Sequence, residues 1–330
     1  MTKLRIGIIS TARIGERRVI PAMQQSSNVE VTAVASRDIP RAQAFAAQLG
    51  IPKAYGSYEA LFADPDVDAV YNPLPNSMHA EWTIKAAQAS KHILCEKPFA
   101  SNTAETDTMI AACERHKVVL MEAFMYRFHP QNEKAIELIR SGAIGKVQMV
   151  RAVFNFQIAS ETNIRLNADL AGGALMDVGC YCVNAARTLV GAEPVRASAL
   201  AQFGAASRVD ETLIGALQFP GGAYASIACS FHTPYRTHYE VIGERGRIEL
   251  PQPFTTNNLP TRVLLHDSDD QTQAFEFPAL DQYTRMSEHF ARAVLDGEPL
   301  RYPPSEGRAQ MRVLDALYES ARAGRAVDLS

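Results

Sequence analysis

Up to Phe124 the chain alternates between two hydrophobic periods. The runs LRIGII, VEVTAVAS, VDAVYNPL, KHILCEK and VVLMEAF are apolar almost throughout and have the length of strands buried on both faces. Between them RRVIPAMQQS, IPRAQAFAAQLG, SYEALFAD, NSMHAEWTIKAAQAS and TAETDTMIAACERHK place apolar residues at helical spacing, one closing on Gly50 and one capped at Ser57. Parallel strands need crossover connections, so this α/β alternation predicts a doubly wound parallel sheet. Beyond residue 125 the period shifts toward two. AIGKVQMVRAVFNFQIA alternates as a half-buried strand, and two longer stretches read as hairpins turning at Pro220 to Gly222 and at Glu244 to Gly246. A helix over GGALMDVGCYCVNAARTLVG and two amphipathic helices near the end complete the pattern. The expectation is a dinucleotide-binding Rossmann domain over 1–124 and an α+β domain over 125–330. The second carries a mostly antiparallel open sheet, and its C-terminal helices are free to pack back on the first.

The turn after the first strand carries the first chemical signal. A dinucleotide loop reads G-x-G-x-x-G, but here Ser10 and Ala12 occupy the first two glycine places and only Gly15 keeps its own. Main-chain amides of Thr11, Ala12, Arg13 and Ile14 can still line a pyrophosphate at a helix start, and the Ser10 hydroxyl can add a donor. At the end of the second strand, where a carboxylate would hold the 2′-hydroxyl of NAD, the chain has Ser36 and Arg37, with Arg41 a turn later. Those groups favour the 2′-phosphate of NADP, while the adjacent Asp38 leaves NAD open.

Composition narrows the class. The 330 residues are 47% hydrophobic and 21% charged with a net charge of −3, which supplies no electrostatic footprint for nucleic acid or an anionic membrane. No apolar run reaches the roughly 18 residues that span a bilayer, and the first strand starts too early for a signal peptide, so a cytoplasmic protein is expected. The five cysteines include no C-x-x-C pair and the eight histidines no tight metal spacing, so no metal is expected.

Three stretches carry a resemblance. DVDAVYNPLPNSMHAEWTIKAAQASKHIL, KHILCEKPFA and GGALMDVGCY, in this order and spacing, resemble the glucose-fructose oxidoreductase, inositol dehydrogenase and MocA family along nearly the whole chain. MEAFMYRFHP and MDVGCY are most similar to its branch of dimeric dihydrodiol dehydrogenase and NADP-dependent xylose dehydrogenase. The resemblance implies a cofactor-edge loop at Asn72, Pro73, Asn76 and His79, a Glu96-Lys97-Pro98 triplet at the site, and a cofactor contact at Arg165. It also implies a dimer or tetramer formed through the antiparallel sheet. Many members of the family have histidine where Tyr181 stands, which leaves the choice between Tyr181 and Lys97 as proton carrier open.

Beside that resemblance, the side chains can be read for chemistry. Lys97 follows a parallel strand at the edge where such sheets bind ligands, and Asp177 and Tyr181, four apart on a helix, share a face. Oxidising an alcohol with a nicotinamide needs a base for the hydroxyl proton. A tyrosine, with an ordinary pKa near 10, becomes one when an ammonium favours its phenolate. The expected roles are Tyr181 as proton acceptor and donor, Lys97 as the tuning charge, and Asp177 as a substrate or lysine anchor. Arg127 and His129 are placed at a cleft, while Phe124, Met125, Phe128 and Trp82 are read as packing. The expected activity is an NADP-dependent oxidoreductase acting on a sugar, polyol or cyclic diol. A redox-neutral nicotinamide-dependent glycoside hydrolase and a catalytically silent nucleotide-binding regulator are the alternatives.

Overall fold

Six parallel strands form the first sheet of the computed structural model, which describes residues 2–329. They are β1 (Leu4–Ile9), β2 (Val29–Ala35), β3 (Lys53–Tyr55), β4 (Ala69–Asn72), β5 (His92–Cys95) and β6 (Leu120–Glu122), in the order β3-β2-β1-β4-β5-β6. Leu4, Ile6, Ile8 and Ile9 are all fully buried, which is why the run is continuously apolar rather than alternating. The connections carry α1 (Ile20–Gln25), α2 (Ile39–Leu49), α3 (Tyr58–Phe62), α4 (His79–Gln88) and α5 (Thr103–His116). Strand order reverses between β1 and β4, so the crevice where such sheets take ligands opens at the carboxyl ends of these two strands. The edge strand β3 has three residues, too few to register as a hydrophobic period.

This sheet belongs to a unit of residues 2–125 and 281–308. Its late segment includes α8 (Gln282–Leu295), whose Glu288 accepts hydrogen bonds from Ser27 and, through its main-chain oxygen, from Asn28. The other unit spans 126–280 and 309–329. It contains α6 (Pro130–Arg140), β7 (Val147–Asn155), α7 (Cys180–Val190), β8 (Arg196–Phe203), β9 (Asp210–Gln218), β10 (Tyr224–Ser230), β11 (Arg236–Gly243), β12 (Gly246–Leu250), β13 (Thr261–Asp267), β14 (Thr272–Phe277) and β15 (Val327–Asp328), with most of α9 (Pro304–Ala323).

The nine strands run β14-β13-β12-β11-β7-β10-β9-β8-β15. Both expected hairpins are present, β9 with β10 and β11 with β12. One pairing departs from the antiparallel expectation, because β7 and β10 are parallel neighbours. The long connection between them contains α7, β8 and β9, and only such a crossover can bring two strands side by side in the same direction. Local periodicity carries no trace of that long-range pairing. One face of this sheet is buried through Ala197, Leu213, Leu217, Ala225 and Ile227, and the other exposes Leu200, Ile214 and Tyr224.

Two helices begin with a wide π turn, Gly15–Val19 running into α1 and Leu175–Gly179 running into α7. Such turns concentrate at functional positions. Among the described residues no helix is long and apolar enough to cross a membrane.

Candidate active site

The degenerate loop keeps glycine's backbone without glycine. Ser10 has φ 127°, a region that side chains rarely enter, and its hydroxyl accepts the Ala12 N–H at 3.2 Å. The Ser10 N–H donates to Ala35 O at 3.0 Å, tying the turn to the end of β2. Helix starts at Arg13, so the amides of Arg13, Ile14 and Gly15 belong to a first turn that has no intrahelical acceptors. A Cβ at Gly15 would meet Ile20 and Tyr71 at 3.6 and 3.8 Å, ordinary contact distances, and the residue has no positive φ. The packing around residue 15 therefore leaves room for a small side chain. Thr11 and Ala12 complete the edge, and the donor set fits a dinucleotide.

Beyond β2, Ser36 is buried and its hydroxyl accepts the Asp38 N–H at 3.3 Å. Arg37 and Arg41 are exposed, and both lie near the Tyr58 hydroxyl, whose pKa burial raises and their charges lower. Asp38, the residue that left NAD open, caps α2 by accepting the Arg41 N–H. Its carboxylate thus serves the helix.

After β4 the loop is braced internally. Asn72 is fully buried; its amide donates to His79 O and the Thr83 hydroxyl, and its oxygen accepts the Leu74 N–H. The His79 ring is also fully buried, with its two nitrogens each 2.8 Å from a main-chain oxygen, of Pro98 and of Leu74. Burial pushes its pKa down to about 4, against the two main-chain oxygens, which favour the protonated ring. These two side chains organise the loop from within, while Pro73 is buried beside them and Asn76 opens a partly exposed 3-10 turn.

The loop that His79 fastens is the Glu96-Lys97-Pro98 segment. Tyr71 donates to Glu96 Oε1 at 2.6 Å, and Glu96 Oε2 accepts the Lys97 N–H at 3.3 Å. Lys97 is half-buried just past β5, and its peptide bond to Pro98 is cis.

In the other unit, Asp177 lies in the π turn and Tyr181 in the first turn of α7, both buried. Arg165 donates from Nε to Asp177 Oδ2 at 2.6 Å, and its guanidinium lies 5.8 Å from the centre of the Phe156 ring. The Asp177 charge raises the Arg165 pKa against burial, and the ionised form of Tyr181 acts in the same direction. The Tyr181 ring is set among Tyr126, Phe154 and Phe254 at centroid distances of 5.4–5.8 Å. The structure thus brings together Arg165, Asp177 and Tyr181. The Arg165–Asp177 pair escaped the sequence because the arginine sits in an irregular loop with no period to locate it.

Arg127 and His129 are corrected. Arg127 is 3% exposed and donates to Asn184, and His129 is fully buried as the cap of α6, so both pack the interior. Phe124, Met125 and Phe128 are buried, and Trp82 packs edge-on against Tyr58. All five cysteines are buried and unbridged, and no group of three or more His, Cys, Asp and Glu side chains could hold a metal among the described residues.

A doubly wound sheet with these donors at its reversal point fits a dinucleotide-binding protein. The comparisons make it specific. Residues 4–124 match the family model described as an oxidoreductase family, NAD-binding Rossmann fold, and residues 132–249 match the GFO/IDH/MocA C-terminal domain. The chain belongs to the GFO/IDH/MocA oxidoreductase family. It is 45% identical to D-xylose 1-dehydrogenase (NADP(+)) 2 of Haloferax volcanii, over 99% of this chain and 100% of that one. It is 32% identical to trans-1,2-dihydrobenzene-1,2-diol dehydrogenase of Xenopus laevis over 96% of both chains. A crystallised 3-ketoreductase from Actinomadura kijaniata, in complex with NADP and TDP-benzene, superposes with a TM-score of 0.92 at 32% identity, over 97% of this chain and 98% of that one. Its solved forms include one with a lysine replaced and one with a tyrosine replaced by phenylalanine, at positions 84 residues apart.

Proposed function

We propose that this oxidoreductase uses NADP to oxidise or reduce a secondary alcohol or hemiacetal carbon of a sugar, polyol or cyclic diol. The observation that carries the reading is Tyr181 on a buried helix face beside the Arg165–Asp177 pair. Bound nicotinamide supplies the hydride acceptor or donor at C4. Tyr181 takes the hydroxyl proton in oxidation and returns it in reduction; Lys97 presents its ammonium to the substrate oxygen. Asp177 anchors the substrate while holding Arg165, whose remaining guanidinium N–H groups are available to the cofactor. Lys97 and Tyr181 stand 84 residues apart, the separation of the lysine and tyrosine chosen for replacement in the Actinomadura ketoreductase, which supports these roles.

Amides of Thr11, Ala12, Arg13, Ile14 and Gly15, with the Ser10 hydroxyl, hold the pyrophosphate, while Ser36, Arg37 and Arg41 hold the 2′-phosphate. Engagement of Asp38 as a helix cap supports NADP over NAD. Asn72, Pro73, Asn76, His79 and Glu96 shape the edge of the nicotinamide site. Buried, unbridged thiols support a reducing, cytoplasmic setting. The exposed apolar sheet face supports association with a second copy.

NADPH absorbance followed with D-xylose, other aldoses, polyols and trans-diols tests the reading. Turnover with at least one class is expected; cofactor that stays bound without redox change across the panel would sink it. With a working substrate, Lys97→Met and Tyr181→Phe should each lower kcat by about 100-fold or more while NADP affinity holds. Near-wild-type turnover in either variant would refute that residue's role.

A further inference from the structure

Arg165, Asp177 and Tyr181 all depend on one short segment whose support comes from elsewhere in the chain. A helix opens with amides that lack intrahelical acceptors, and the residue before it commonly supplies one from its side chain. Before this helix stands Gly173, which has no side chain. The acceptor comes from β9 instead: Asp210 Oδ2 accepts the Leu175 N–H at 2.7 Å, and its Oδ1 accepts the Tyr318 hydroxyl of α9 at 2.7 Å. Gly173 makes room for that carboxylate. Its φ is +120°, and a Cβ there would lie 2.1 Å from Asp210 Oδ1 and 2.8 Å from the Tyr318 oxygen. The same glycine donates its N–H to Arg165 O at 2.9 Å and accepts the Asp177 N–H at 3.0 Å. Both members of the ion pair are therefore tied by their main chains to the residue that packs on Asp210.

Asp210 is 1% exposed, and burial raises its pKa to about 6 against the opposing bonds from Tyr318 and Leu175 and the Arg322 charge. A charge kept there costs more than an uncharged acceptor would. A carboxylate, however, has acceptors on both sides and no donor, so it dictates one arrangement of the Leu175 and Tyr318 donors. An amide could flip and turn its N–H groups against Leu175.

We infer that Asp210 is a positioning residue of the reaction, clamping Gly173 and Leu175 from β9 and so setting where Arg165, Asp177 and Tyr181 stand. It touches none of the reacting groups, and its role rests on the reading of Tyr181 as proton carrier. Asp210→Ala, Asp210→Asn, Tyr318→Phe and Tyr181→Phe, compared in D-xylose turnover with NADP and in crystal structures, test it. Asp210→Ala should lower kcat by about tenfold to a hundredfold with KM for NADP within about twofold, and its crystal structure should show the Arg165–Asp177 bond broken. Asp210→Asn should recover the larger part of kcat. Tyr318→Phe, which removes the second bond and leaves the helix clamp intact, should lower Tm and keep kcat.

An Asp210→Ala enzyme with the ion pair intact and kcat within about twofold would overturn the inference, as would a Tyr318→Phe loss of kcat equal to that of Asp210→Ala. Should the alanine variant not fold, Asp210→Ser, whose hydroxyl ends short of the Leu175 amide, is read by the same criteria. Tyr181→Phe separates the two ideas. If it keeps turnover, the assignment of Tyr181 fails and the crystal structure still decides the clamp; if it loses turnover while Asp210→Ala does not, the clamp alone fails.

Discussion

Ser10 and Arg37 are the single residues on which the proposed dinucleotide site turns. With φ at 127°, Ser10 holds the turn that a glycine would hold without strain, and a β-branched side chain has no favourable conformer there. Ser10→Gly should leave stability within about 1 kcal/mol, and Ser10→Val should lower it by about 2 kcal/mol or more, as read by urea unfolding. At the proposed ribose end, Arg37 and Arg41 supply the positive charge between β2 and β3. Arg37→Ala should weaken NADP binding by about tenfold or more and leave NAD binding within about twofold, measured by titration calorimetry. Equal losses for both cofactors would refute the phosphate grip. The strand, turn and helix start that carry Ser10 were legible because they are local, lying within a few residues of one another. Arg165 was legible only by resemblance, since its partner Asp177 is found across an irregular loop.

At the level of elements, the loops after β4 and β5 are joined through His79 rather than through either strand. Its folded pKa, near 4, lies below the ordinary value of 6.5, so the unfolded chain binds the extra proton between those limits. Stability should therefore fall as pH drops from about 6.5 toward about 4, by about 3 kcal/mol for this ring. His92 and His289 are shifted in the same direction and add to the slope. The His79→Asn variant should show a visibly shallower decline of Tm over that window, and an unchanged slope would count against the buried neutral ring. Helices and strands of ordinary length were visible in the periodicity, down to the caps at Ser57 and Gly50. The π turns were not, because one extra residue in a turn hardly alters an apolar pattern. β8 and β14 went unseen because exposed apolar positions blur their alternation, Leu200 and Phe203 in the first and Ala274 in the second; α6 and β13, of ordinary length, were missed as well.

For the whole molecule, the outer face of the nine-stranded sheet carries a cross-strand row. Leu200 pairs with Ile214, Ile214 with Ala228, and Ala228 with Val153. Leu200 and Ile214 are 78% and 58% exposed, so the row covers itself only by meeting another apolar surface. Leu200→Glu combined with Ile214→Lys should convert a dimer or tetramer into a monomer in analytical ultracentrifugation. A wild-type protein that sediments as a monomer would refute the second copy as its cover.

By itself, the sequence determined the layered α/β half, its parallel connections and the turn after β1, because each depends on residues close along the chain. Tertiary structure alone decided which distant groups meet. The parallel pairing of β7 with β10, the Arg165–Asp177 ion pair across an irregular stretch, and the Asp210 carboxylate that accepts the Leu175 N–H are of this kind. Hydrogen bonds and ion pairs are short-ranged in space and indifferent to separation along the chain, so no period or spacing records them in advance.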